Sequence, residues 1–221
     1  MGIADLKALR SSLDAAPYLP LTGRFHSHLT VATSELERLR AFCASERIKL
    51  TVVDLDDADG RVQRDVMTTR YHKDEAPGAI GRIADDLVDL GNRLTGAGFL
   101  VLRAKLEHET EPSLEPYGPG RYHEVHVKLA IPPDGYEAAR AWLVENGRAH
   151  GFVASSNPRE RTDEAVLQFV NLRIYEGDRA AADVRVAEIL ALLGDQGFDI
   201  VEVKRETTIF DTHHALDRWW A

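Results

Sequence analysis

Two distant parts of the chain carry histidine, lysine and glutamate in the pattern that proton transfer and anion binding use. Gly23-Arg24-Phe25-His26 is followed by His28-Leu29-Thr30-Val31, and Gly120-Arg121-Tyr122-His123 by His126-Val127-Lys128-Leu129. Farther along each copy, Gly98-Phe99 precedes Lys105 and Glu107, and Gly197-Phe198 precedes Lys204 and Glu206 at the same spacing. Between these markers Thr68-Thr69-Arg70 corresponds to Asn171-Leu172-Arg173. Histidine exchanges a proton near neutral pH and so serves as general acid or base. Lysine and arginine neutralise an anion, arginine with two parallel hydrogen bonds. His28 and His126 are therefore the candidate catalytic residues. Thr30, Arg70, Lys105, Lys128, Arg173 and Lys204 are the candidate contacts to an anionic substrate.

A second chemistry is open to the same residues. His26-x-His28 places two imidazoles on one strand face, with Glu107 or His72 as a further ligand, a donor set that suits Zn or Fe. His123, His126 and Glu206 form a weaker counterpart. A third reading is a module that holds a small anion without changing it. The residues by themselves do not choose between catalyst and binder, and the cofactor is unknown beyond Zn or Fe as the ions these donors suit. His28-Leu29-Thr30-Val31 resembles the His-x-Thr-x signature of the 2H phosphoesterases, which carry two such motifs on related lobes. The resemblance covers a few residues. It implies phosphoester hydrolysis, with His28 in catalysis and Thr30 in phosphate binding. The second copy departs from the signature, since Lys128 stands where Thr or Ser belongs.

The elements that must position these side chains repeat in order. Phe25–Val31 alternates and reads as a strand, 34–47 as a helix capped by Ser34, and Lys49–Leu55 as a strand ending in an Asp-rich turn. Asp65–Tyr71 reads as the returning strand. Ile80, Ile83, Leu87, Leu90 and Leu94 form a helical stripe ending near Gly96 and Gly98, followed by a strand to Glu107. The second copy gives strand 122–131, helix 134–148, strand 151–156, a turn at Ser156-Asn157-Pro158, strand 165–175, helix 178–194 and strand 198–210. Twice β-α-β-β-α-β predicts an α+β protein of two tandem ferredoxin-like repeats, each with a four-stranded antiparallel sheet. The expected boundaries are an N-terminal helix and lead-in over 1–22, repeat 1 over 23–109 and a Pro/Gly-rich linker over 110–120. Repeat 2 follows over 121–211, and an aromatic tail ending in Trp219-Trp220 over 212–221. Alternation predicts that His26, His28, Thr30, Thr68, Arg70, His72, Arg103, Lys105 and Glu107 share the sheet face away from the helices. Glu124, His126, Lys128, Asn171, Arg173, Tyr175, Lys204 and Glu206 do so in repeat 2. Aligning His28 with His126 needs one extra residue after His123, which a β-bulge supplies. A His-, Arg- and Lys-lined cleft between the repeats is the expected site.

Composition bounds the rest. The 221 residues carry 27 Lys+Arg against 36 Asp+Glu, a net charge of −9, which argues against a general nucleic-acid or membrane-surface binder. A single cysteine, Cys43, cannot form an internal disulfide, and neither a membrane-spanning run nor a leader is visible. The expected setting is the cytoplasm and the expected partner a small anionic molecule, with the oligomeric state open. Asp54, Asp56, Asp57 and Asp59 lack the spacing of a calcium loop. No glycine-rich phosphate loop or Gly-x-Ser-x-Gly occurs.

Overall fold

The computed structural model describes residues 21–56, 62–109, 122–161, 164–175 and 179–213, without the side chains of 56 and 157–161. The expected N-terminal helix, the 110–120 linker and the two tryptophans of the tail lie outside these residues. The described elements are β1 (Gly23–Ala32), α1 (Leu36–Ser45), β2 (Lys49–Asp56), β3 (Val62–Asp74), α2 (Ala79–Gly96) and β4 (Leu100–Glu109). They continue with β5 (His123–Ile131), α3 (Tyr136–His150), β6 (Val153–Arg161), β7 (Val166–Ile174), α4 (Arg179–Asp195) and β8 (Asp199–Asp211).

The two separate four-stranded ferredoxin-like sheets are not what forms. The strands hydrogen-bond in the closed order β1-β3-β2-β6-β7-β5-β8-β4, one eight-stranded antiparallel barrel. The reason lies at the sheet edges. Two independent sheets would leave β2, β4, β6 and β8 as edges, each with a row of unpaired N–H and C=O groups, whereas the closed order sets β2 beside β6 and β8 beside β4. Here Asp54 and Leu55 of β2 pair with Ser156 and Ser155 of β6. The expected turn at Ser156-Asn157-Pro158 is correspondingly absent, the β6 backbone continuing as strand to Arg161. The chain resolves into two compact units that cross the repeat boundary. The first holds β1, α1, most of β3, α2, β4 and the end of β8 from Thr208; the second holds the end of β2, the start of β3 and β5 through Thr207.

In the first unit, the apolar stripe of α2 is buried as its spacing demands, Ile80, Ile83, Leu87, Leu90 and Leu94 being at most 3% exposed. They join Phe25, Leu29, Leu39 and Leu106, all fully enclosed. The helix stops at a left-handed glycine: Gly98 has φ +84°, and Phe99 N–H donates to the Leu94 carbonyl at 2.9 Å. Gly197, φ +79°, ends α4 the same way, with Phe198 N–H on the Leu193 carbonyl at 3.1 Å. The Gly-Phe markers thus fix where β4 and β8 begin, and with that the positions of Lys105 and Lys204. Ser34 is not the cap of α1. Glu35 occupies that position, and the Thr33 hydroxyl accepts its N–H at 2.9 Å. Cys43 is buried in α1, and burial pushes its thiol up to about 11, which keeps it an inert packing group. In the second unit Val125, Val127 and Leu129 pack with Leu143 of α3, Val170 and Leu172 of β7, and Val186, Ile189 and Leu193 of α4.

Candidate active site

Register decides which side chains meet. In β1, His26 pairs with Tyr71, His28 with Thr69 and Leu29 with Thr68 of β3; on the other side His26 pairs with Glu107, His28 with Lys105 and Thr30 with Arg103 of β4. The polar face therefore carries His26, His28, Thr30, Thr69, Tyr71, Arg103, Lys105 and Glu107. Thr68, Arg70 and His72, expected there, lie on the helix side, because their pairing is one residue off the expected register and a slip of one flips every side chain. Arg70 thus lies off the polar face. It pairs with Ser27 in the ladder and its guanidinium bonds Asp86 of α2. His72 accepts or donates a hydrogen bond at Ser27 Oγ, 2.8 Å away, and burial holds its imidazole below the usual range.

Most of this face is not wet. His26, Thr30, Arg103, Lys105 and Glu107 are all buried. Buried charges need partners, and they have them. Glu107 bridges a lysine and a histidine, with Oε1 at 2.5 Å from Lys105 Nζ and Oε2 at 2.9 Å from His28 Nε2. His28 Nδ1 lies 3.0 Å from the Thr69 hydroxyl, which in turn meets the Thr51 hydroxyl at 2.8 Å. Arg103 forms a bidentate pair with Asp211 from the end of β8, Nε donating to Oδ1 at 2.8 Å and Nη2 to Oδ2. Burial would raise the Asp211 carboxyl, but Arg103 outweighs it and holds the group below its ordinary value.

The second unit repeats the arrangement. His126 pairs with Asn171 of β7 and Lys204 of β8, and Glu124 with Arg173 and Glu206. Glu206 again uses Oε1 for lysine, 2.8 Å from Lys204 Nζ, and Oε2 for histidine, 3.2 Å from His126 Nε2. His126 Nδ1 lies 2.7 Å from Asn171 Oδ1. Burial works against a charge on this ring. The hydrogen bond to Glu206, the charges of Glu124 and Glu206 and the Asn171 contact outweigh it and lift the imidazole to about 9. Arg173 sits 3.4 Å from Glu124 and stacks over the Tyr122 ring at 4.8 Å. Lys128 lies 3.7 Å from Glu202, with its ammonium 5.4 Å from the Phe169 ring centroid.

By ladder position, Thr69 matches Asn171, Lys105 matches Lys204, Glu107 matches Glu206 and Thr30 matches Lys128. His28 and His126 are equivalent without the expected bulge after His123, since β5 pairs without interruption from His123 to Lys128. The paired Gly-Arg-aromatic-His runs are out of step by one: His26 stands where Glu124 does. Thr69, Thr51 and Ser155 were missed as site residues, Thr69 through the same one-residue slip. Asp211 had no signal at all, being brought to Arg103 from 108 residues away.

The metal donor set does not assemble. Among the described residues no three His, Cys, Asp or Glu side chains converge as ligands for an ion. His26 Nε2 is turned to Glu109 Oε1 at 3.1 Å while His28 Nε2 is turned to Glu107, and the two rings stand nearly perpendicular with centroids 6.4 Å apart. Among the described residues no helix is long and apolar enough to cross a membrane.

No family model and no curated protein matches the chain. A solved structure described as a "putative monooxygenase from Lactobacillus acidophilus NCFM" is similar over 85% of this chain and 93% of that one, at 12% identity and a TM-score of 0.29. A likeness that loose transfers neither fold nor activity.

Proposed function

We propose that the chain is a small-molecule enzyme that does acid–base chemistry on an anionic substrate, with His28 and His126 as the groups on which the chemistry rests. One observation carries this reading: a buried glutamate spans a lysine and a histidine through the same two oxygens in each unit. Burying Lys105, Glu107 and Glu206 costs free energy that apolar residues would not. A carboxylate that orients an imidazole beside an ammonium is a standard way to hold a proton-transfer group and neutralise an anion together. A phosphoester is the substrate class that His28-Leu29-Thr30 favours, through its resemblance to the 2H phosphoesterases; Lys128 at the matching position supplies charge instead of a hydroxyl.

The second reading is a non-catalytic holder of small anions. The pinning of both His126 nitrogens favours it, since a ring with two fixed partners exchanges its proton less freely. An assay of the purified protein against phosphomonoesters and phosphodiesters, run beside calorimetric titration with inorganic phosphate, separates the two. Turnover of any ester supports the enzyme. Phosphate binding without turnover across the set supports the holder, and neither binding nor turnover contradicts both.

A further inference from the structure

The two units match at every charged position of the Lys–Glu–His set and differ at the histidine's second partner, Thr69 in one and Asn171 in the other. A threonine hydroxyl can give or accept a hydrogen bond, so it fits either form of a ring. An asparagine oxygen only accepts. Which end of the Asn171 amide meets the ring is fixed by its other contacts. Asn171 Nδ2 donates to the Val153 carbonyl at 3.1 Å and lies 2.7 Å from Ser155 Oγ. Turning the amide over would set its oxygen against the Val153 carbonyl oxygen, two acceptors facing each other. Oδ1 is thereby committed to His126 Nδ1, which must carry a hydrogen. Nε2 faces the Glu206 carboxylate at 3.2 Å and Glu124 at 4.0 Å, and must carry one too.

We propose that Asn171 is a positioning residue that commits His126 to its doubly protonated form, making it a fixed cation, whereas the Thr69 hydroxyl, able to donate or accept, imposes no such commitment on the His28 ring. The inference rests on the proposed function in the use it gives the charge, but its structural content stands without it. The two histidines, alike in their lysine and glutamate partners, are thus made unequal through one residue of β7. His126 then holds an anion or gives a proton, and does not accept one. The groups facing its ring come from every strand around it: Glu124 on β5, Lys204 and Glu206 on β8, and Asn171 and Arg173 on β7, with Ser155 on β6 behind the amide. Lys204 and Arg173 oppose the cation, and each is paired to one of the two glutamates. The lift of the ring to about 9 agrees with this geometry.

The test is histidine-ring NMR of the full chain over pH 5 to 10, with 15N shifts to report which nitrogens are protonated, on the wild type, Asn171→Thr and Asn171→Leu. The wild type should show both His126 nitrogens protonated at pH 7. Asn171→Thr copies the first unit's choice and should keep the fold; its His126 midpoint should fall by about one pH unit, a tenfold weaker hold on the proton. Asn171→Leu removes the acceptor and should lower the midpoint at least as far. A neutral His126 in the wild type at pH 7, or an unmoved midpoint in both folded variants, would overturn the proposal. Adding inorganic phosphate tests the functional reading separately: phosphate-induced shifts at His126 that weaken in Asn171→Thr above pH 8 support the charge's use in anion binding. A correct protonation pattern with no phosphate response would overturn that use and leave the role of Asn171 intact.

Discussion

At the scale of single residues, charges are buried in this protein beside partners of opposite sign. Arg103 and Asp211 show it most simply, with side chains 4% and 0% exposed. Removing one member of such a pair strands the other in a poor dielectric. Arg103→Ala should therefore cost roughly 3–5 kcal/mol in urea unfolding, where an exposed arginine would cost almost nothing. The sign with pH follows from Asp211, whose carboxyl is held below its ordinary value. Its contribution is fully present above the unfolded value of about 3.9 and is lost as the pH falls through the lower folded value. Acid titration of wild type against Arg103→Ala should show the difference between them shrinking toward low pH. The recurrence of residue types made His28, His126, Lys105, Lys204, Glu107 and Glu206 legible in the sequence. Arg70 was misplaced because nothing local distinguishes Thr68 from Thr69 as the residue opposite His28.

At the scale of elements, what the sequence announces most clearly is what local physics determines. The stripe of α2 and the glycines at 98 and 197 are of this kind, one set by helical periodicity and the other by backbone conformations that side chains resist. Strand ends are less legible: β3 runs from Val62 to Asp74, well past the alternation that marks it. Two glycines within helices make the contrast testable. A Cβ on Gly81 of α2 would meet nothing within 4 Å, so Gly81→Ala should stabilise by about 0.5–1 kcal/mol through helix propensity. A Cβ on Gly147 of α3 would stand 2.6 Å from the Phe152 carbonyl oxygen, a backbone atom that cannot swing away. Gly147→Ala should destabilise by about 1–3 kcal/mol despite the same propensity gain. Thermal melts of the two variants should move in opposite directions.

At the scale of the molecule, the closed ring of strands was not legible, because closure depends on two seams, β8 beside β4 and Asp54 and Leu55 of β2 finding Ser156 and Ser155 of β6. Four ordinary strand residues announce no partner, and a pattern that repeats reads as two sheets. The consequence is that each unit needs chain from the other half. The first takes Asp211 and Thr212 from the end of the sequence, with Thr212 N–H donating to the Ala104 carbonyl at 3.0 Å and Ala104 N–H to the Thr212 hydroxyl at 2.9 Å. A fragment ending at Glu109 should therefore fail to give a cooperative unfolding transition alone, and should regain one when the complementary fragment is coexpressed. A fully cooperative 1–109 fragment would mean that the repeats fold independently after all.

The Lys–Glu–His sets are proposed to serve catalysis, His28 by moving a proton and His126 as a charge that holds an anion or gives a proton; turnover of whichever phosphoester proves to be a substrate by His28→Gln and His126→Gln tests this most directly. Glutamine keeps a polar group near Glu107 and Glu206 but carries no exchangeable imidazole proton, and circular dichroism shows whether each variant remains folded. Both variants should stay folded, and each should lose about 10²–10⁴-fold in kcat/KM. A folded variant of either kind with wild-type turnover would contradict this and leave these buried networks as structure alone.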